Sequence, residues 1–182
     1  MSSNFKKCFC GLLSFLWLGI FWSIPSHSSI PQIEYLSRPD FFQLAFHGQE
    51  PKAGILRLKK DLKKTVEEIL GHDYPGRRIR YWKNETRTAW IFDEIGKDLP
   101  ITIGVVVENS AIQTIRVMVY REERGGEVHQ SFFTDQFNFI QMNDSGELTK
   151  PIDGITGATL SVGSVTRVAK LALTLDAIVN AS

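Results

Sequence analysis

Cysteine is almost missing from this 182-residue chain: there are two, Cys8 and Cys10, both at the start. If the first 28 residues are an export segment, the remaining body has no thiol at all. That excludes disulfides, thiolate metal sites, c-type haem attachment and a cysteine nucleophile from the body. A basic excess is also lacking, with 21 Lys+Arg against 20 Asp+Glu and a formal charge of +1. A nucleic-acid surface needs such an excess gathered on one face, so no nucleic-acid partner is expected. No Gly-Lys-Ser/Thr follows a glycine-rich loop, which rules out a P-loop, and the Gly-x-Gly-x-x-Gly fingerprint is missing too. His27, His47, His72 and His129 are scattered without metal-ligand spacing, so no metal site is expected. There is no internal repeat. What is present is ordinary: 43% apolar and 23% charged residues, which suit a single packed domain.

The first 28 residues differ from the rest. Met1 to Lys7 is short, polar and basic at Lys6 and Lys7, and Cys8 to Trp22 is an apolar run. Its length suits a secretory h-region and is short of the roughly 20 residues of a full membrane span. Small residues at Ser26 and Ser28 place a cleavage site near Ser28. The alternative is an uncleaved anchor. Either way the body is expected outside the cytoplasm, in a periplasm or on the outer face of the cytoplasmic membrane. No Leu-x-x-Cys lipoprotein signal stands at Cys8 or Cys10. Loss of Lys6 and Lys7 with the leader would take the charge from +1 to −1.

Residues 29–53 carry Pro31, Pro39, Gly48 and Pro51 with little periodicity, and read as a lead-in segment. Phe41, Phe42, Leu44 and Phe46 are candidates to dock it on the core. A domain is expected over 54–182. Residues 54–70 read as a helix whose stripe is Leu56, Leu62, Val66, Ile69 and Leu70. Lys59, Lys60, Lys63, Lys64, Glu67 and Glu68 form its polar face, read as a solvated face, with a membrane or partner contact as the alternative. Gly71 is a natural stop. After the Pro75-Gly76 turn, strands are expected at 78–83 and 87–93. A hairpin is expected at 101–108 and 111–120 about Asn109-Ser110. On its return strand Ile112, Thr114, Arg116 and Met118 should face one way, and Ile115, Val117 and Val119 the other. Residues 129–140, with Phe132, Phe133, Phe137, Phe139 and Ile140, read as a short helix on the sheet. A final helix is expected at 162–179. Val165, Val168, Ala169, Ala172, Leu175 and Val179 would be buried, with Gly163, Arg167, Lys170 and Thr174 as the polar stripe. The fold class is α+β: an antiparallel sheet packed with an N-terminal and a C-terminal helix.

The stretch that carries chemistry is Pro151-Ile152-Asp153-Gly154-Ile155-Thr156-Gly157-Ala158-Thr159-Leu160-Ser161, set before that last helix. Unpaired N–H groups at a helix N-terminus favour an anion such as a phosphate. Gly157 and Ala158 keep the backbone free of bulk, and Ser161 or Ser164 is a candidate cap. Spacing alone leaves two other readings open: a turn on Asp153-Gly154 leading into a capped helix, or a site for a free nucleotide. Asn84-Glu85-Thr86 matches a glycosylation sequon, a pattern that often arises by chance.

The sequence Asp-Gly-Ile-Thr-Gly-Ala-Thr-Leu-Ser resembles the flavinylation motif of the FMN-binding domain. That domain occurs in the FMN-carrying subunits of sodium-pumping NADH:quinone reductase and of Rnf-type complexes, and in other extracytoplasmic redox proteins. The hairpin at 101–120 resembles the family's core strands. Tyr120 to Val128 resembles the Glu- and Gly-bearing segment after them, and Phe132 to Phe139 the Phe-x-x-Gln-Phe segment. The likeness spans about residues 85–179. The extended insertions of the large respiratory subunits are missing, which puts membership of those complexes in doubt.

The resemblance implies a covalent FMN, joined by its phosphate to Thr159, with Asp153, Thr156, Gly157, Ala158, Leu160 and Ser161 completing the site. It implies a flavin transferase as partner, using FAD and a divalent cation, and a membrane redox donor or acceptor. No catalytic residue of this chain is expected, since a threonine hydroxyl needs a partner to activate it. The role implied is electron carrier or redox subunit rather than stand-alone oxidoreductase. The alternatives are a flavin-bearing subunit of a membrane-associated reductase and a flavin-free binding domain of the same fold. Phe137, Tyr120 and Trp90 are candidates to stack on the flavin ring, and Arg116 and Arg121 to face its charge. Core packing for the aromatics and solvent for the arginines are the plainer readings.

Overall fold

The computed structural model describes residues 32–181, so the proposed export segment lies outside the described residues. The elements run β1 Ile33–Glu34, α1 Arg38–Phe46, β2 Lys52–Arg57, α2 Lys60–Leu70, β3 Arg78–Lys83, β4 Arg87–Ile95, β5 Pro100–Glu108, β6 Ala111–Tyr120, α3 Ser131–Thr134 and α4 Thr159–Asn180. The six strands form one antiparallel sheet in the order β1-β6-β5-β4-β3-β2. This is the expected α+β architecture.

The sheet is covered on both faces. On one lies α4, with Val165, Val168, Ala169, Ala172 and Leu175 buried against Trp90, Ile103, Val105 and Ile115. α2 joins that side through Val66 and Leu70. On the other lies α1, whose Phe41, Ala45 and Phe46 pack on Ala89, Val106 and Met118. α1 is started by Ser37, whose Oγ accepts from the Asp40 N–H at 3.3 Å. The ring of Phe41 sits on Gly104, where a Cβ would come within 2.5 Å of it. The second layer explains why Ile101 to Val107 are buried on both faces.

Residues 33–53 are therefore more than a lead-in: they supply β1, α1 and the start of β2. The expected helix at 54–70 is also corrected. Its first residues belong to β2, with Leu56 packed on the core and Ile55 exposed, a period of two rather than 3.6. Gly54 lies under the Tyr81 ring, so close that a Cβ would meet it at 2.2 Å. The helix proper starts at Lys60 and ends at Gly71 in the left-handed region.

The hairpin closes as expected. Asn109 and Ser110 have φ of 52° and 59°, the two positive values that a type I′ turn needs. Its facing residues differ from the expected alternation. Register shifts between Thr102/Ile103 and Val106/Val107 put Ile112 on the α4 side with Ile115 and Val117, and Val119 on the α1 side with Met118. Each inserted residue reverses the facing of those beyond it. The segment 129–140 is not one helix. α3 is flanked by 3-10 turns at Gly126–His129 and Asp135–Phe137. It buries Phe133 and Phe137, edge to face at 5.5 Å, and leaves Phe132 and Phe139 exposed. Among the described residues no helix is long and apolar enough to cross a membrane.

Candidate functional site

The motif forms a turn that delivers a hydroxyl to a helix start. The Ala158 N–H donates to the Ile155 carbonyl at 3.0 Å, and Gly157 between them has φ +84°, as the third residue of a type II turn requires. α4 then begins at Thr159 rather than at 162, with Ala158 as its N-cap and no side chain capping it. The first turn is closed by Val162 N–H on the Ala158 carbonyl at 2.9 Å. Among the described residues no acceptor reaches the N–H groups of Thr159, Leu160 and Ser161. They form the positive end of a 22-residue helix.

Neither serine suggested as a cap plays that part. Ser161 is 4% exposed, and its Oγ lies 2.9 Å from the Tyr120 Oη. The Tyr120 hydroxyl donates to the Arg124 carbonyl at 2.5 Å, so the serine is the donor to tyrosine. Ser164 donates to the carbonyls of Ile95 and Leu160 at 2.5 and 2.9 Å. Both serines tie α4 to the strands, and this fixes where Thr159 stands. Burial raises the Tyr120 pKa, although the Ser161 bond opposes that shift. The phenol is held neutral as a donor.

Thr159 is exposed at the mouth of a cleft of about 580 Å³. Gly157, Ala158, Thr159, Leu160 and Ser161 form one wall, and Lys97 to Leu99 with Glu122 to Arg124 form the other. A second cleft of about 460 Å³ shares Glu123, Arg124 and Gly157, and adds Thr156, Tyr35 and His129. The Tyr35 and His129 rings stack at 3.8 Å, and His129 Nδ1 lies 2.5 Å from the Gly126 carbonyl oxygen. The two clefts flank the Thr156–Thr159 turn. Each volume is in the range usual for ligand sites. Leu160, 55% exposed, forms an apolar lip.

Glu122 ties down the far wall. One of its oxygens accepts the N–H groups of Lys97, Asp98 and Leu99 at 2.7, 2.7 and 2.8 Å. Burial alone would raise the pKa of this carboxyl, but the three N–H bonds and the Lys97 charge carry it below the ordinary value.

Six of the seven residues named from the sequence line these clefts: Thr156, Gly157, Ala158, Thr159, Leu160 and Ser161. Asp153 does not. It is exposed, and its N–H donates to Gln136 Oε1 at 2.8 Å. The suggested stacking residues belong to the core, with Trp90 and Phe137 at 0% and Tyr120 at 2% exposure. Arg116 bonds the Ile115 carbonyl at 2.8 Å and pairs with Asp135 at 3.8 Å, whereas Arg121 bonds the Pro100 carbonyl and Thr102. Neither arginine lines either of these two clefts. Sequence reasoning missed Lys97–Leu99, Tyr35 and His129 as site residues, and noted Glu122 to Gly125 only as a resemblance. The available signal was Gly125-Gly126 just after a buried strand. A Cβ on Gly125 would lie 2.9 Å from Tyr120 Oη, 3.1 Å from Ser161 Oγ and 3.2 Å from Ala158 Cβ. Among the described residues no group of three or more His, Cys, Asp or Glu side chains is arranged to hold a metal.

Residues 96–174 match the family model of the FMN-binding domain, within the span on which the resemblance rests. The match supports FMN as the cofactor and a flavin-binding protein. Comparison with curated proteins and with solved structures finds no match.

Proposed function

We propose, from the match of residues 96–174 to the family model of the FMN-binding domain, that this chain is an electron-transfer flavoprotein tethering FMN through a phosphoester at Thr159. One observation carries the reading. The family's acceptor position coincides with an exposed hydroxyl, at the uncapped start of a 22-residue helix, on the lip of a cleft. The residues present fit the group. Free N–H groups at Thr159, Leu160 and Ser161 suit a phosphate, and the two adjoining clefts offer room for a ring system.

Attachment needs a flavin transferase with FAD and a divalent cation as partners. The Thr159 Oγ forms a bond to the flavin-side phosphorus of FAD, the pyrophosphate bond breaks, and AMP leaves. The hydroxyl proton goes to a base of the transferase. This chain's part is to present the oxygen and to receive the new phosphate at the helix N-terminus. Ser161 and Ser164 hold the first turn of α4 on the strands, so the acceptor oxygen is fixed relative to the opposite wall. Once bound, FMN supplies the electron chemistry. The export segment supports a place outside the cytoplasm, at the outer face of the cytoplasmic membrane or in a periplasm. A membrane redox protein would be donor or acceptor there.

The test is coexpression with a flavin transferase, followed by intact mass and by a denaturing gel under ultraviolet light. The expected result is one added FMN less one water on the wild-type chain and none on Thr159→Val. Fluorescence that persists in Thr159→Val refutes the acceptor assignment.

A further inference from the structure

The wall of the cleft opposite Thr159 is built around one carboxylate. The β4–β5 turn folds tightly, with the Gly96 N–H on the Leu99 carbonyl at 3.0 Å. That fold aims three consecutive N–H groups, from Lys97, Asp98 and Leu99, at one point, and a Glu122 oxygen occupies it. Converging backbone N–H groups of this kind form an anion nest. Gly96 leaves room for the carboxylate, since a Cβ there would lie 2.9 Å from that same oxygen and 3.0 Å from Ile101 Cδ1. Glu122 itself follows β6 by two residues and stands on the segment that continues to Gly125, the close neighbour of Ala158. One side chain thus couples the Lys97–Leu99 turn to the segment packed against the acceptor loop. Lys97, Asp98, Leu99 and Glu122 all line the cleft that Thr159 opens on.

We propose that Glu122 is a positioning residue for the flavin site, holding the Lys97–Leu99 wall in the conformation that admits the flavin phosphate delivered to Thr159. This rests on the reading of Thr159 as the acceptor. The requirement is an acceptor oxygen at the nest. Glutamine keeps one there without charge, whereas alanine leaves three N–H groups bare and the turn untethered. The effect is on modification of Thr159, beyond any effect on folding.

The experiment uses the full-length chain with purified flavin transferase, FAD and Mg²⁺, following the rate of FMN addition by intact mass. Thermal midpoints are recorded for the same samples. The variants are Glu122→Ala, Glu122→Gln and, as a control for stability alone, Val66→Ala, which hollows the core under α2. Glu122→Ala is expected to slow addition by up to about 100-fold, the loss that a misplacement of about 1 Å at a reacting group can cause. Glu122→Gln should recover most of the rate. Val66→Ala should be modified at the wild-type rate despite a lowered midpoint. Should Glu122→Ala not fold, Glu122→Asp, one methylene too short to reach the nest, takes its place. Wild-type addition rates in the Ala variant overturn the proposal. A Gln variant as slow as Ala, or a Val66→Ala chain slowed to the same degree, overturns it equally. A wild-type chain that takes no flavin refutes the Thr159 reading itself, and the positioning role falls with it. A labelled wild type beside an equally labelled Ala variant refutes the positioning role alone.

Discussion

Replacing Tyr120 with Phe keeps the buried ring and removes one oxygen, which isolates the polar bridge at the site. That oxygen donates to the Arg124 carbonyl at 2.5 Å and accepts from Ser161 at 2.9 Å. Tyr120 is 2% exposed and Ser161 4%, so the serine hydroxyl loses its partner without gaining water. The Arg124 side of the break is the less costly one, since Arg124 is an exposed residue. The cost is therefore mainly one unsatisfied buried hydroxyl plus one lost bond, about 1–3 kcal/mol. In a domain of this size that lowers the thermal midpoint by about 2–4 °C per kcal/mol. The assay is urea unfolding, in which the midpoint should fall with an unchanged slope. Ser161→Ala alone should cost about 1 kcal/mol. The double variant should cost less than the sum of the two by about 1 kcal/mol, because the second change removes the hydroxyl that the first left stranded. Additivity within about 0.3–0.5 kcal/mol would refute the bridge, since that is the behaviour of independent sites.

Gly125→Ala should destabilise by about 2–4 kcal/mol and slow flavin addition, because φ is +85° and the new methyl meets Tyr120, Ser161 and Ala158 within 3.2 Å. Gly157→Ala, with a similar φ of +84° but nothing within 4 Å, should cost only about 1–2 kcal/mol, and urea midpoints compare the two. A pH effect is expected at His72. Its Nδ1 lies 3.0 Å from the Asp73 carbonyl and its Nε2 3.1 Å from Glu94, which suits the doubly protonated ring, and the Asp73 bond leads the causes that raise its pKa above 6.5. A raised folded-state pKa gives stability that is fully present below 6.5 and lost as pH rises through the folded value. Urea midpoints of wild type should therefore fall over that window relative to His72→Gln, by a small amount because the imidazole is 41% exposed. Parallel pH profiles would refute the pairing.

Local physics made much of the chain legible. β-branched residues with Asn109-Ser110 between them specify the β5–β6 hairpin, and the apolar stripe from Val165 to Val179 specifies α4. Both are short-range signals, carried by turn conformation and side-chain period. The Thr156–Thr159 turn was legible as well, since a small-residue turn before a helix is contiguous in sequence. Only the tertiary structure decided the rest. β2 is a strand because Gly54 receives the Tyr81 ring, a contact between residues 27 apart that no local period reveals. α1 became a second layer because Phe41 found Gly104 beneath it. The register shifts that turn Ile112 and Val119 arise from pairing with β5, not from either strand alone. The site divides the same way. One wall is the motif itself, while the other exists because Glu122 gathers three N–H groups from a turn more than twenty residues earlier in the chain. Sequence places the hydroxyl. Only long-range packing, which brings distant backbone donors onto one carboxylate, makes the cleft that it opens on.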